Sequence, residues 1–192
     1  MDVAGFASHT RDDDDRRFVR ETIFRMLEQA FSSSGLRLPD YYREDRGDGV
    51  LIIVPPDVPT RTVVDPMLAR LETELRRHNQ RAAAPVRIQL RAALHVGPVV
   101  GDLHGVFGNA ITQAARLLEA PVLKSGLAES GGDLGFITSA YVYESVIREG
   151  PGFVDPSLYQ PVEIQVKETE LSAWMYLANG NSLRAVTSPG YS

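Results

Sequence analysis

The stretch Glu44-Asp45-Arg46-Gly47-Asp48-Gly49 stands between an aromatic pair, Tyr41-Tyr42, and an apolar run, Val50 to Val54. Two extended segments that meet at Gly-Asp-Gly make a hairpin, because glycine takes the turn conformations that other residues resist. Asp48 then sits at the tip of a sheet, where a carboxylate is exposed enough to bind a cation and rigid enough to bind it well. The plain alternative for a lone Asp-Gly is a turn and nothing more. A second acidic run, Asp12 to Asp15, resembles a metal cluster in composition only. It reads as the first turn of a helix, where carboxylates face the positive end of the helix dipole. Basic residues are nearly all arginine, and the lysines are Lys124 and Lys167 alone.

These residues need elements to hold them. Asp2 to Ala7 is extended in character. Thr10 caps the aspartate run, which leads into Val19, Thr22, Ile23, Met26, Leu27, Ala30 and Phe31, a helical stripe closed by Gly35. After the hairpin, Pro55, Pro56 and Pro59 break the strand, and Val64, Leu68, Leu71 and Leu75 mark a second helix ending in Arg76-Arg77-His78-Asn79. From Val86 to Val96 the pattern has a period of two, which predicts a strand with one buried face and one partly wet face. Gly101 to Gly108 reads as a glycine-rich loop and Asn109 to Leu118 as a helix with a small-residue face at Ala110, Ala114 and Ala115. Leu134 to Thr138 is a short strand and Ala140 to Arg148 a short helix. Val162 to Lys167 and Leu171 to Leu177 form a second hairpin. The order β, α, β, β, α, β, followed by further α and β elements, predicts an α+β fold: a ferredoxin-like βαββαβ core with C-terminal additions. One domain spans 1–177, and 178–192, rich in Gly, Ser and Asn, reads as a loose tail.

Composition narrows the classes. The chain has 192 residues, 43% hydrophobic and 23% charged, enough for one domain with a full core. It has no cysteine, which suits a reducing cytosol and removes thiolate metal sites. No apolar run is long enough to span a bilayer, and the expectation is a soluble, cytoplasmic protein. A formal net charge of −5 argues against a surface for duplex nucleic acid, whose affinity comes from neutralised phosphates.

Four stretches together resemble one family, the class III nucleotidyl cyclase catalytic domain of adenylyl and guanylyl cyclases, over nearly the whole chain. Asp2-Val3-Ala4-Gly5-Phe6 resembles its opening metal motif, and Gly47-Asp48-Gly49 its second metal aspartate. Leu94-His95-Val96-Gly97-Pro98-Val99 resembles a strand usually written Ile-His-x-Gly-x-Val. Gly108 to Leu117 resembles the helix Gly-x-x-Val-Asn-x-Ala-Ala-Arg-Leu. Each match is weak alone; four in order are specific.

The resemblance implies the class III cyclase fold and conversion of a nucleoside triphosphate to a 3',5'-cyclic nucleotide second messenger and pyrophosphate. Two magnesium or manganese ions per site would be held by Asp2, Asp48 and the Val3 carbonyl. Arg116 is similar to the family's transition-state arginine, and Lys167 to the lysine that holds the terminal phosphates. Thr112 stands where the family usually has a ribose-orienting asparagine; it keeps a hydroxyl but lacks the amide, and Asn109 lies one turn away. Base choice falls to Glu44 and Gly105. An ionised Glu44 only accepts hydrogen bonds, so it suits guanine N1 and N2, uracil N3 or the cytosine amino group, and disfavours ATP. An ion pair with Arg43 or Arg46 is the alternative for Glu44. Bacterial pyrimidine cyclases of anti-phage defence are similar at this level. The family further implies a head-to-tail homodimer with two shared sites, aspartates from one subunit and Arg116 and Lys167 from the other. The competing expectation is a degenerate cyclase-like domain that binds nucleotide or a partner without turnover.

Overall fold

The computed structural model describes residues 1–150, 152–166 and 169–178. The expected tail from 179 onward and Lys167 lie outside the described residues. Ala178, expected to begin that tail, is buried, and its amide donates to the Leu134 carbonyl at 2.9 Å.

The chain begins with β1 (Asp2–Val3) and then α1 (Asp13–Ser33). The helix starts where it does because the Asp12 carboxylate accepts from the Asp15 amide while the Asp15 side chain accepts from the Asp12 amide, a reciprocal cap. Asp13, Asp14 and Asp15 occupy the first turn, as the helix-dipole argument requires, and the cap is Asp12 rather than Thr10. The apolar stripe of α1 is buried throughout: Val19, Thr22, Ile23, Met26, Leu27, Ala30 and Phe31. Strands β2 (Tyr42–Asp45) and β3 (Val50–Ile53) then form the expected hairpin, with Glu44 opposite Leu51 and Asp45 opposite Val50.

A short turn, α2 (Thr60–Thr62), and an irregular segment broken at the extended Asp65, which precedes Pro66, lead into α3 (Ala69–Asn79). The strand expected over 86–96 is confined to β4 (Leu90–Leu94), because Ala84–Val86 forms a tight turn. Side chains, rather than a ladder, hold the residues between. Asn79 donates to the Ile88 carbonyl at 2.7 Å and to Asp133 Oδ1 at 2.7 Å, and accepts from the Ile88 amide at 2.9 Å. The glycine-rich segment expected to be a loop is instead a small hairpin, β5 (Val100–Asp102) with β6 (Gly105–Phe107).

Helix α4 (Asn109–Leu118) has its expected bounds. A helix absent from the sequence reading, α5 (Pro121–Ser130), follows it. Then come β7 (Leu134–Ser139), the turn α6 (Ala140–Val142) with its irregular continuation to Ile147, and the hairpin β8 (Gln160–Val166) and β9 (Thr169–Leu177).

The result is an α+β fold on a mixed five-stranded sheet of order β1-β4-β7-β9-β8, in which β4 and β7 run parallel and the other neighbours antiparallel. Each face carries a core. On one, α1 and α3 bury Leu27, Phe31, Leu71 and Leu75 against Val3, Leu90, Ala92 and Phe136. On the other, Leu117 and Leu123 of α4 and α5 pack on Ile137, Ala173 and Met175. Strand parity decides which face a residue serves: Asp2 and Arg91 are register partners and so share the second face, with Ala93, while their neighbours Val3 and Leu90 enter the first core.

Replacing Asn79 by Ala removes the three hydrogen bonds that seat the chain before β4 and leaves a buried amide unpaired. We expect a loss of about 2–4 kcal/mol in urea unfolding, with the slope of the transition unchanged.

Candidate functional site

The hairpin tip is joined to β1 by backbone. Asp2 and Gly49 form an antiparallel bridge: the Val3 amide donates to the Asp48 carbonyl at 2.8 Å and the Val50 amide to the Met1 carbonyl at 2.9 Å. Gly49 is obligatory at this contact. A Cβ there would lie 2.3 Å from the Met1 carbonyl oxygen and 2.8 Å from Asp2 Cα, both backbone atoms. Gly47 serves the turn itself, at φ +85°. Residues 46 positions apart in sequence, Asp2 and Asp48, thereby become neighbours whose charges act on each other.

Their surroundings differ. The Asp48 carboxylate is exposed, and among the described residues it has no hydrogen-bond or ion-pair partner. Asp2 is 8% exposed and engaged by Arg91, which donates from Nε to Oδ1 at 2.8 Å and from Nη2 to Oδ2 at 2.9 Å. Burial raises the Asp2 pKa above the ordinary aspartate value, with Arg91 pulling the other way and Asp48 adding to the rise. Arg91 lies on the strand face expected to be partly wet; at this position that face is closed.

Arg20 of α1 holds the hairpin from the helix layer. Its guanidinium forks onto the Asp45 carboxylate, reaches the Gly47 carbonyl at 3.3 Å and lies 5.3 Å from the centre of the Phe24 ring. Asp45 in turn accepts from the Gly47 amide at 2.8 Å. A shallow depression lined by Val3, Phe6, Arg20, Phe24 and Asp48 lies beside this clamp. The chain after β1 turns tightly rather than continuing extended to Ala7, and buried Arg11 fixes it by donating to the Gly5, Pro85 and Arg87 carbonyls.

The predicted base-reading positions are also brought together. Tyr42 donates from its hydroxyl to Glu44 Oε2 at 3.2 Å, and a Cβ on Gly105 would lie 3.5 Å from that hydroxyl oxygen. The other Glu44 oxygen accepts from Arg46 Nε at 2.9 Å, one of the two ion pairs foreseen for it. Tyr42 is the residue that sequence reasoning missed here, although its place two residues from Glu44 puts both side chains on one face of β2.

Asn109, Thr112 and Arg116 lie along α4 at helical spacing on its outer side, opposite buried Ala110 and Leu117. Gly97 after β4 admits this helix closely, since a Cβ there would be 2.9 Å from the Ala110 Cβ. Thr112 makes only a long contact of 3.5 Å to the Gly108 carbonyl. Arg116 is half-buried, and among the described residues no carboxylate is within ion-pair distance of it. Arg116 makes no ion pair with Asp2 or Asp48 of its own chain, and the side chain that engages Asp2 is Arg91. His95 has a structural part, its Nδ1 bonded to Ser139 Oγ at 2.9 Å, with burial pushing its pKa below the usual histidine value. A surface groove of about 570 Å³ between α1 and α3 holds none of these residues.

Two carboxylates and main-chain carbonyls are hard oxygen donors, the set that magnesium or manganese prefers, and Asp2 already faces a cation through both oxygens. Among the described residues no group of three or more His, Asp or Glu side chains is gathered, so the candidate metal set is this pair with a backbone oxygen. Neither a scan against known protein families nor a search of curated proteins finds a match to this chain.

Substituting Arg20 by Ala should free the hairpin tip. The pair with Asp45 is about 40% exposed on each side, so global stability should fall by no more than about 1 kcal/mol. The Gly47 to Gly49 amides should exchange hydrogen faster than in the parent while the α1 core amides do not.

Proposed function

We propose that this chain is a nucleotidyl cyclase of the class III kind, acting as a homodimer on GTP, UTP or CTP in preference to ATP. The observation that carries the reading is the backbone adjacency of Asp2 and the Asp48 turn, two segments that share no local sequence and are joined through a contact only glycine allows, so that the charge of Asp48 acts on Asp2. The βαββαβ order of β1, α1, β2, β3, α3 and β4 supports the finer fold assignment.

Asp2, Asp48 and the Val3 carbonyl would hold the metal ions, which when bound lower the pKa of the ribose 3'-hydroxyl and neutralise charge on the departing pyrophosphate. The 3'-oxygen attacks the α-phosphorus, the bond from that phosphorus to the β-bridging oxygen breaks, and the hydroxyl proton goes to solvent. Arg116, half-buried and without an acidic partner among the described residues, meets the charge that builds on the α-phosphate. Thr112, one turn earlier, offers a hydroxyl to the ribose. Lys167 is assigned to the terminal phosphates on the resemblance alone.

Glu44 is the acceptor for base donors, oriented by the Tyr42 hydroxyl, and the absence of a side chain at Gly105 leaves room beside that hydroxyl. Arg116 makes no ion pair with the aspartates of its own chain, which supports sites shared between two copies. The β5–β6 hairpin offers a surface for the second copy: Val100 and Phe107 are cross-strand partners, both more than half exposed, and Leu103 at the tip is fully exposed.

A second reading, a domain that binds nucleotide without turnover, is favoured by one observation: Arg91 occupies both oxygens of Asp2.

Purified protein with Mn2+ should convert GTP, UTP or CTP to its cyclic monophosphate, identified by product mass. Asp48→Ala should lower the rate at least about 100-fold, the scale of losing a preorganised charge-stabilising group. Nucleotide binding without cyclic product from any of the four triphosphates would favour the second reading. Mixing Asp48→Ala with Arg116→Ala should restore activity to about a quarter of the parent, since half the dimers are mixed and each has one intact site. No recovery despite subunit exchange would exclude shared sites.

A further inference from the structure

The Asp2–Arg91 pair has a geometry that bears on how a metal could enter. The two residues are direct register partners across β1 and β4, so their side chains leave the sheet on one face in every rotamer. The guanidinium lies side-on to the carboxylate through two hydrogen bonds, and the side chains are only 12% and 10% exposed. A divalent ion added to an Asp2 still forked by Arg91 would sit against a like charge in a partly dehydrated place.

We infer that Arg91 is the resident cation of the metal site: it neutralises Asp2 in the metal-free chain, and a divalent ion binds Asp2 and Asp48 by exchange with its guanidinium. This rests on the reading of Asp2 and Asp48 as metal ligands, and it adds a residue that the sequence resemblance does not single out. Arg91 is a positioning residue that sets the metal threshold. Because β4 keeps it directly opposite Asp2, the released guanidinium remains beside the site, where the phosphates of a bound nucleotide are the natural new partner. Metal entry and nucleotide entry are then mutually favourable, since each supplies what the other displaces.

The test uses the whole chain and Mn2+ alone, with free Mn2+ followed by electron paramagnetic resonance and unfolding followed by thermal denaturation. Arg91→Gln should bind Mn2+ at least about tenfold more tightly than the parent, within the usual range of coupling between sites. It should also melt lower than the parent without metal, because Asp2 is left buried and unpaired, and should gain more in Tm when Mn2+ is added. Arg91→Lys keeps the charge but not the fork, should fall between the two, and serves if Arg91→Gln does not fold. Adding Asp2→Asn to Arg91→Gln should abolish the gain in affinity.

Asp48-dependent Mn2+ binding in the parent, with binding no tighter in either Arg91 variant, overturns the exchange and leaves the metal reading intact. Lack of Asp48-dependent binding in the parent and both variants overturns the exchange and the metal reading together.

Discussion

The contact between Gly49 and β1 is the constraint on which the rest of the candidate site depends. A hairpin tip on a sheet edge has many places it could rest, and its own turn does not select one. Here the backbone of Gly49 lies so near Met1 and Asp2 that any side chain would collide with main-chain atoms, which cannot move aside as a flexible side chain can. The bridge bonds of Val3 and Val50 then hold the tip in register. Asp48 is thereby placed by backbone, with its carboxylate left free, and Arg20 and Asp45 brace the turn from the opposite side. A site built this way loses little entropy when a ligand arrives, because the chain around it is already ordered.

The two aspartates that meet there have opposite surroundings. Asp48 is solvated and unpaired among the described residues; Asp2 is enclosed, and its negative charge is compensated chiefly by Arg91, which lies within hydrogen-bond distance of both oxygens, with the Met1 ammonium adding to it. Fully hydrated partners would pair weakly and exchange with salt. Enclosed ones do not, so the state of Asp2 depends on which cation is beside it, while Asp48 stays available whatever the state of Asp2.

Much of this arrangement was legible in the residues. The stripe of α1, the turn at Gly47 to Gly49 and the bounds of α4 follow from local periodicity and turn chemistry, which act over a few residues. What was hidden depends on contacts between distant segments. Helix α5 contains Gly126 and lacks a side-chain cap. Its glycine packs closely on β9, where a Cβ would lie 3.3 Å from the Leu177 and Met175 side chains. Residues 86–88 alternate like a strand but are held by Asn79, with no ladder to join. Arg91 was readable as one of a row of polar residues alternating along β4. Period two gives parity, and only the pairing of β1 with β4 shows that the parity of Arg91 is also that of Asp2.

On the proposed metal reading, that pairing also reconciles two demands that conflict at an ion-binding site. A carboxylate enclosed enough to grip a metal is a buried charge in the metal-free chain, and removing its partner from such a pair typically costs about 3–5 kcal/mol, a large share of a domain's stability. An exposed carboxylate avoids that penalty but binds the ion less firmly, because water competes for it. Placing an arginine on the neighbouring strand lets the folded chain keep Asp2 enclosed and neutralised without metal. The sheet fixes the backbone of Arg91 but not its long side chain, so on the proposed exchange the guanidinium can turn from Asp2 without the strands rearranging. On the proposed exchange Asp2 has a cation beside it in either state, and the fold need not change between them.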